Sequence, residues 1–179
     1  MSATVRALFL LGLIAALSGC SRQIPNRVTA DEYALYSAWI TTHFSMSPPH
    51  RLYFSSLTGS FDPLDGSCRT PLEKDGVKSS LMSQMHALGD ARYQLNLYSA
   101  ANLQIPWSYT EVDTAPEMLQ STFHWITFSR VAFSRDHTEA LFAFFDACAQ
   151  GECGHGGYVE GRKTKGKWRF RPVGCAIVS

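Results

Sequence analysis

The chain has 179 residues, with 16 Lys and Arg against 15 Asp and Glu and a formal net charge of +1. A near-neutral balance argues against nucleic acid as a partner and removes any need for an acidic substrate. Hydrophobic residues at 45% and aromatics at 12% supply a real core, which sets the chain apart from the disordered class.

The first element is not a folded one. Met1 to Arg6 is short and carries one basic side chain besides the terminal amine, Ala7 to Leu17 is an apolar run, and Leu17-Ser18-Gly19-Cys20 closes it. A basic start, a short apolar core and a small-residue exit read as a secretory signal. The run falls short of the roughly 20 apolar residues that a spanning helix needs. Leu17-Ser18-Gly19-Cys20 resembles the lipobox of bacterial lipoproteins. That resemblance implies cleavage before Cys20, diacylglycerol on its thiol and an acyl chain of the palmitate class on the new amine. Several such chains, at about 0.8 kcal/mol per buried methylene, hold a protein on a membrane. Ser21, where Asp would be a retention signal in enteric bacteria, implies the periplasmic face of the outer membrane. Residues 1–19 are therefore read as signal peptide, 20–28 as a lipidated tether and 29–179 as one globular domain. Removing residues 1–19 leaves 160, about one domain, and with Arg6 gone 15 basic residues face 15 acidic ones.

Thr29 followed by Glu32 is a capping-box pattern, and it predicts a helix with Tyr33, Tyr36, Ile40 and Phe44 on one face and Trp39 beside it. That helix stops by Ser47, ahead of Pro48 and Pro49. Arg51 to Thr58 is a predicted strand with Leu52 and Phe54 on one side. Gly59 to Asp75, rich in Gly, Pro, Asp and Ser, reads as a loop; Asp62, Asp65 and Gly66 within it lack the ordered ligands of a calcium loop. Val77, Leu81, Met85 and Leu88 make a helical stripe ended by Gly89. Tyr93, Leu95 and Leu97 alternate, although a helix through Tyr98 also fits. Pro106 to Asp113 is extended, and Pro116 to Gln120 makes a short helical turn.

The last third is strand-rich. Phe123 to Phe128 and Arg130 to Phe133 are strand-like. Thr138 to Ala147 is apolar on both faces, with Leu141, Ala143 and Phe145 on one and Phe142 and Phe144 on the other, which predicts a central strand. Gly156 to Arg162 pairs back, Lys165-Gly166 turns, Lys167 to Arg171 puts Trp168 and Phe170 on one face, and Val173 to Val178 adds a last strand. Helices first and strands last predict an α+β fold, N-terminal helices packed on a C-terminal antiparallel meander.

With Cys20 set aside, Cys68, Cys148, Cys153 and Cys175 remain, and export favours two disulfides. Three pairings exist. Cys148–Cys153 closes a short loop and Cys68–Cys175 ties mid-chain to the last strand, so these two are preferred. Metal binding through Cys153 and His155 is the competing reading, and it lacks a second close pair.

Phe128-Ser129-Arg130-Val131-Ala132-Phe133-Ser134, the Ala140-Leu141 strand, Cys148 with Cys153-Gly154, and Gly166-Lys167-Trp168 resemble motifs of a family of exported bacterial proteins of uncharacterised activity. The Tyr33 helix and Pro106 to Thr110 are similar too, so the resemblance covers roughly residues 29–179. It implies structural motifs and no activity, cofactor or site. The closing hairpins also resemble those of nuclear-transport-factor-2-like cone folds, which would imply a small-ligand cavity under the sheet.

Catalytic signatures are absent from the sequence: no G-x-S-x-G, no phosphate-cradling loop before a helix, no H-E-x-x-H. The six histidines, at 43, 50, 86, 124, 137 and 155, stand singly and are read as surface or satisfied core residues, with no metal and no cofactor expected. Glu111, Asp113 and Glu117 are the candidate paired carboxylates of a hydrolase. The positive feature is a basic hairpin, Arg162, Lys163, Lys165, Lys167, Arg169 and Arg171, which reads as a charge-protected edge or as a surface for an acidic partner. The sequence thus predicts a membrane-anchored, non-enzymatic envelope module that binds a partner protein or a cell-wall component. The alternatives are a small envelope hydrolase with a site assembled from distant residues, or a cone-shaped ligand-binding domain.

Overall fold

The computed structural model describes residues 27–46, 51–89, 91–95, 109–112, 123–148 and 154–178. The fold is α+β. Helix α1 (Ala30–His43) is followed by strand β1 (Arg51–Ser55), helices α2 (Gly66–Lys74) and α3 (Ser79–Leu88), and strands β2 (Tyr109–Val112), β3 (Phe123–Phe128), β4 (Ala132–Phe133), β5 (Glu139–Cys148), β6 (His155–Thr164) and β7 (Lys167–Val178). One sheet runs in the order β2-β1-β3-β5-β6-β7, with β4 paired to β5 off that path. From β3 onward neighbours are antiparallel, as the meander predicts. The sheet also extends beyond the meander, because β1 pairs parallel with both β2 and β3.

The two-faced pattern of β5 organises the core. Ala140, Phe142 and Phe144 meet Tyr33, Tyr36, Trp39, Ile40 and Phe44 of the α1 segment, while Leu141 and Ala143 meet Leu72 of α2 and Leu81, Met82 and Met85 of α3. Helices therefore cover both faces, and β5 is central because both of its side-chain rows are apolar. Tyr36 is fully buried, stacks on Phe128 at 4.5 Å and donates its hydroxyl to Ser129 O at 2.6 Å. The cone-shaped alternative gains no support from faces filled in this way.

The capping box of α1 forms as the sequence predicts. Thr29 Oγ1 accepts from Glu32 N at 3.3 Å, and Glu32 Oε2 accepts from Thr29 N at 2.8 Å. Glu32 is also buried against Arg130, whose Nε donates to Oε1 at 2.6 Å and whose Nη2 donates to Oε2 at 3.1 Å. Val131 N donates to the same Oε1 at 3.1 Å, and the guanidinium lies 4.4 Å over the Tyr93 ring. This explains why the strand predicted over Arg130 to Phe133 reduces to Ala132–Phe133: Arg130 leaves the sheet to reach Glu32. Ser129 Oγ donates to Arg130 O and accepts from Ala143 N. Ser129 and Arg130, the centre of the resemblance motif, thus have structural roles.

Three other readings change. The loop predicted over Gly59 to Asp75 contains α2, Gly66–Lys74. Its composition, with Gly66, Ser67, Thr70 and Pro71, disfavours a helix; burial of Leu72 and the Cys68–Cys175 disulfide hold it. The strand predicted to Thr58 ends at Ser55. The two last predicted strands are one, β7, interrupted where Tyr158 pairs with Val173 and Gly157 with Ala176. Gly174 and Cys175 fall between those pairs, and Gly174 takes φ 73°, a value glycine adopts without strain. The irregularity presents Cys175 to Cys68, with 5.2 Å between Cα atoms. Helix α3 ends before Gly89 at φ 65°, and Lys165-Gly166 turns with φ 51° and 79°, as expected of a tight hairpin turn. The Cys148–Cys153 pairing, Leu97, residues 96–108, Asp113 and the Pro116 to Gln120 turn lie outside the described residues, as do the signal, Cys20 and the tether as far as residue 26.

Candidate functional site

One end of the molecule gathers polar groups that the sequence scatters. His43 is the last residue of α1, His124 sits near the start of β3, Asp146 near the end of β5 and His155 at the start of β6. Antiparallel pairing brings them together: Asp146 is the registered partner of both Ile126 and His155, and His124 is two residues from Ile126 on the same face. Helix α1 lies over that face, so its C-terminal residue overhangs the same spot.

Asp146 is the centre, only 1% exposed. Its Oδ2 is 2.8 Å from His124 Nδ1, while its Oδ1 is buried with no hydrogen-bond partner among the described residues. A buried carboxylate oxygen without a partner is costly in water-excluding surroundings. One ligand-type atom each from His43, Asp146 and His155 lies within 4.8 Å of the other two. His43 and His155 are exposed, so this end is open to solvent. Aromatic rings wall it: His43 stacks on Trp39 at 4.4 Å, Phe44 meets His124 at 5.2 Å, and Phe144 lies 5.7 Å from His43 and 6.2 Å from His155. A cavity of about 340 Å³ adjoins His155, lined also by Phe144, Tyr158, Pro172 and Ala176.

The electrostatics differ from ring to ring. Burial pushes His43 below the ordinary histidine value, with Asp146 opposing and His155 and His124 reinforcing that shift. The hydrogen bond to Asp146 raises His124, against its own partial burial. His124 thus holds its proton more readily than an ordinary histidine, and His43 favours the neutral imidazole. The helix C-terminus carrying His43 adds a partial negative charge to the same place.

The basic hairpin sits at the other end and is partly committed. Arg162 and Arg171 grip Glu160, which is 2% exposed, with Nη2 to carboxylate distances of 3.0 and 2.6 Å. Arg171 also donates to Asp75 O at 2.8 Å, joining the end of α2 to the sheet. Lys163 lies 5.6 Å from the Trp168 ring. Lys165, Lys167 and Arg169 are exposed. Trp168 and Phe170 pack on the α1 side, as alternation predicts. Cys68 and Cys175 form the expected disulfide. Of the candidate carboxylates, Glu111 is placed by its backbone on β2 beside Phe54, while Asp113 and Glu117 fall outside the described residues.

Sequence reading missed the cluster of His43, His124, Asp146 and His155. Its local signals are faint, because 22 residues separate His124 from Asp146 and only the β3–β5 pairing closes that gap. An acid at position 146, inside an otherwise apolar central strand, was the one visible cue. No protein-family model, characterised protein or solved structure matches this chain.

Proposed function

We propose that the chain is a lipid-anchored protein of the bacterial envelope whose globular domain is a non-enzymatic binding module, and that it meets its ligand at the end carrying His43, Asp146 and His155. The observation that carries this reading is polarity along α1. The described domain begins at Arg27, whose carbonyl accepts from Arg130, beside the start of α1. Asp31 there pairs with His137 at 2.9 Å, His137 stacks on Phe133, and Phe133 neighbours Trp168 of the basic hairpin. The start of the described domain and the basic hairpin therefore share one end. The histidine cluster lies at the other end of a helix of 14 residues, about 20 Å away at 1.5 Å per residue.

With Arg27 and Val28 docked on the domain, residues 20–26 of the tether reach at most about 25 Å when fully extended. On this reading the anchored end, with Lys165, Lys167 and Arg169, faces anionic lipid, and the cluster faces outward to a partner protein or cell-wall component. The test has two arms. Wild type is expected in the membrane fraction with incorporated labelled palmitate, and Cys20→Ala without label; label-free wild type would remove the anchor. A photo-crosslinking residue at Ala176, beside the cavity, is expected to capture an envelope component that the same residue at Lys165 does not; equal capture at both would remove the binding end.

A second reading, a small envelope hydrolase, draws on the His124–Asp146 pair at 2.8 Å, with His155, the cross-strand partner of Asp146, lining the cavity. Turnover of ester or phosphoester substrates that Asp146→Asn abolishes would favour it over a binding module.

A further inference from the structure

We infer that His43, Asp146 and His155 form a binding site for one divalent late-transition-metal ion, with zinc the type case, and that His124 is its positioning residue. The inference rests on the reading of this end as the ligand end, and it names the ligand.

Two independent observations meet here. The first is the ligand set. Two imidazoles and one carboxylate, drawn from α1, β5 and β6, hold their ligating atoms within 4.8 Å of one another. Nitrogen donors with a single carboxylate suit zinc, nickel or copper, whereas calcium and magnesium take shells of oxygen. The second is Asp146 itself. It is buried to 1% exposure, and its Oδ1 has no partner among the described residues. A bound cation would satisfy that oxygen. Tetrahedral zinc with bonds of about 2.0–2.1 Å sets its ligand atoms about 3.3 Å apart. Separations within 4.8 Å must therefore close by at most about 1.5 Å. His43 and His155, both exposed, can supply that by turning their rings. Three protein ligands leave a fourth position for water, and His155 also lines the neighbouring cavity.

His124 completes the arrangement without touching the ion. Its Nδ1–H donates to Asp146 Oδ2 at 2.8 Å, which orients the carboxylate so that Oδ1 remains for the metal. The Phe44 ring meets it edge-on at 5.2 Å and backs the imidazole on this face.

The test uses the mature, lipidated chain in detergent, its cysteines kept oxidised so that thiolates do not compete, stripped with EDTA and then freed of it. Titration calorimetry with zinc chloride is expected to show one ion per chain, with no binding of magnesium or calcium at the same concentrations. His155→Gln and Asp146→Asn should each weaken zinc at least 100-fold. Because Asp146 is buried, its variant can fail to fold. His155 is exposed, so His155→Gln, with an unchanged melting temperature in EDTA, keeps the test decisive. His124→Leu should weaken zinc by about 10–100-fold, and His124→Asn, whose amide can still donate to Asp146, should restore most of it. A purely structural His124 would move melting temperature and not this pattern. Cobalt bound in place of zinc should show visible bands that shift in His43→Gln. Absence of stoichiometric zinc, or zinc binding that survives both His155→Gln and Asp146→Asn, overturns the inference. Capture at Ala176 without zinc binding overturns the metal and leaves the binding module standing; zinc binding without capture does the reverse.

Discussion

Replacing Glu32 by Ala tests the account of the Ser129-Arg130 motif. Glu32 accepts four hydrogen bonds, from Thr29 N, Val131 N and two nitrogens of Arg130. Its side chain is 2% exposed and that of Arg130 is 5% exposed. Removing the carboxylate leaves the guanidinium buried without its anionic partner, beside Arg27 O and the Tyr93 face. Breaking a buried pair on one side costs about 3–5 kcal/mol, and loss of the cap adds about 1 kcal/mol. For a domain of this size each kcal/mol lowers the melting temperature by about 2–4 °C, so Glu32→Ala should melt about 8–24 °C below wild type. Thermal melts followed by tryptophan fluorescence suit the purpose, because Trp39 is in the same core cluster. The double variant Glu32→Met with Arg130→Met should recover most of the loss, since an apolar pair of similar volume often matches a buried ion pair. A Glu32→Ala cost below about 1 kcal/mol, or a double variant as unstable as the two single losses added, would refute the argument.

Other consequences follow from particular contacts. Cys68→Ala with Cys175→Ala opens a loop with a sequence separation of 107 and should cost about 2–5 kcal/mol, read as a lower denaturant midpoint than oxidised wild type. Gly174→Ala should cost about 2–4 kcal/mol, because φ is 73° and a Cβ there would stand 2.6 Å from Leu72 Cγ; a melting temperature within 2 °C of wild type would contradict it. Hydrogen bonds from Ser134 and then Thr138 hold the Asp136 carboxyl down to about 2, so carbon-detected NMR should place its midpoint there, and Ser134→Ala should move it toward the usual 3.8. A carboxyl depressed in the folded state stabilises it above the unfolded value and loses that effect as pH falls toward 2. The melting difference between Ser134→Ala and wild type should therefore be larger at pH 5 than near pH 2, where the bonds of Ser134 Oγ with Thr138 N and Glu139 N remain.

The parts of this fold that were legible in sequence are those whose signal is local. Thr29 and Glu32 mark a helix start because the capping box closes within one turn. The double apolar pattern of Ala140 to Phe144 marks a central strand because alternation on both faces has no other economical use. Compartment and parity pointed to two disulfides, and the short Cys148 to Cys153 loop left Cys68 to pair with Cys175. Helix α2 was not legible, because Leu72 and a covalent bond to β7 hold it in place of its own propensities. The parallel pairing of β1 was not legible either: nothing in Arg51–Ser55 says that its neighbours will be residues 109–112 and 123–126.

The histidine cluster belongs to this second kind, and for a sharper reason. A metal signature readable from sequence needs two ligands on one turn or one hairpin, so that spacing encodes geometry. Here Asp146 and His155 do face each other across the β5–β6 hairpin, but His43 comes from α1, more than 100 residues earlier, so no one spacing encodes the set. His43 arrives because α1 ends where β5 ends, and the course of the helix is held by Tyr36, Trp39 and Ile40 in the core and by Glu32 on Arg130 at its start. The motif that fixes the fold and the cluster that offers a site are thus coupled through one rigid helix. If Glu32→Ala lets α1 shift, the separation of His43 from Asp146 changes while Asp146 and His155, registered partners in the sheet, stay together. Zinc affinity should then fall in Glu32→Ala even at temperatures where the variant is fully folded, and fall less than in His155→Gln. An unchanged affinity would mean that α1 is held at its C-terminal end by Trp39 and Phe44 alone, and that the cap contributes only stability.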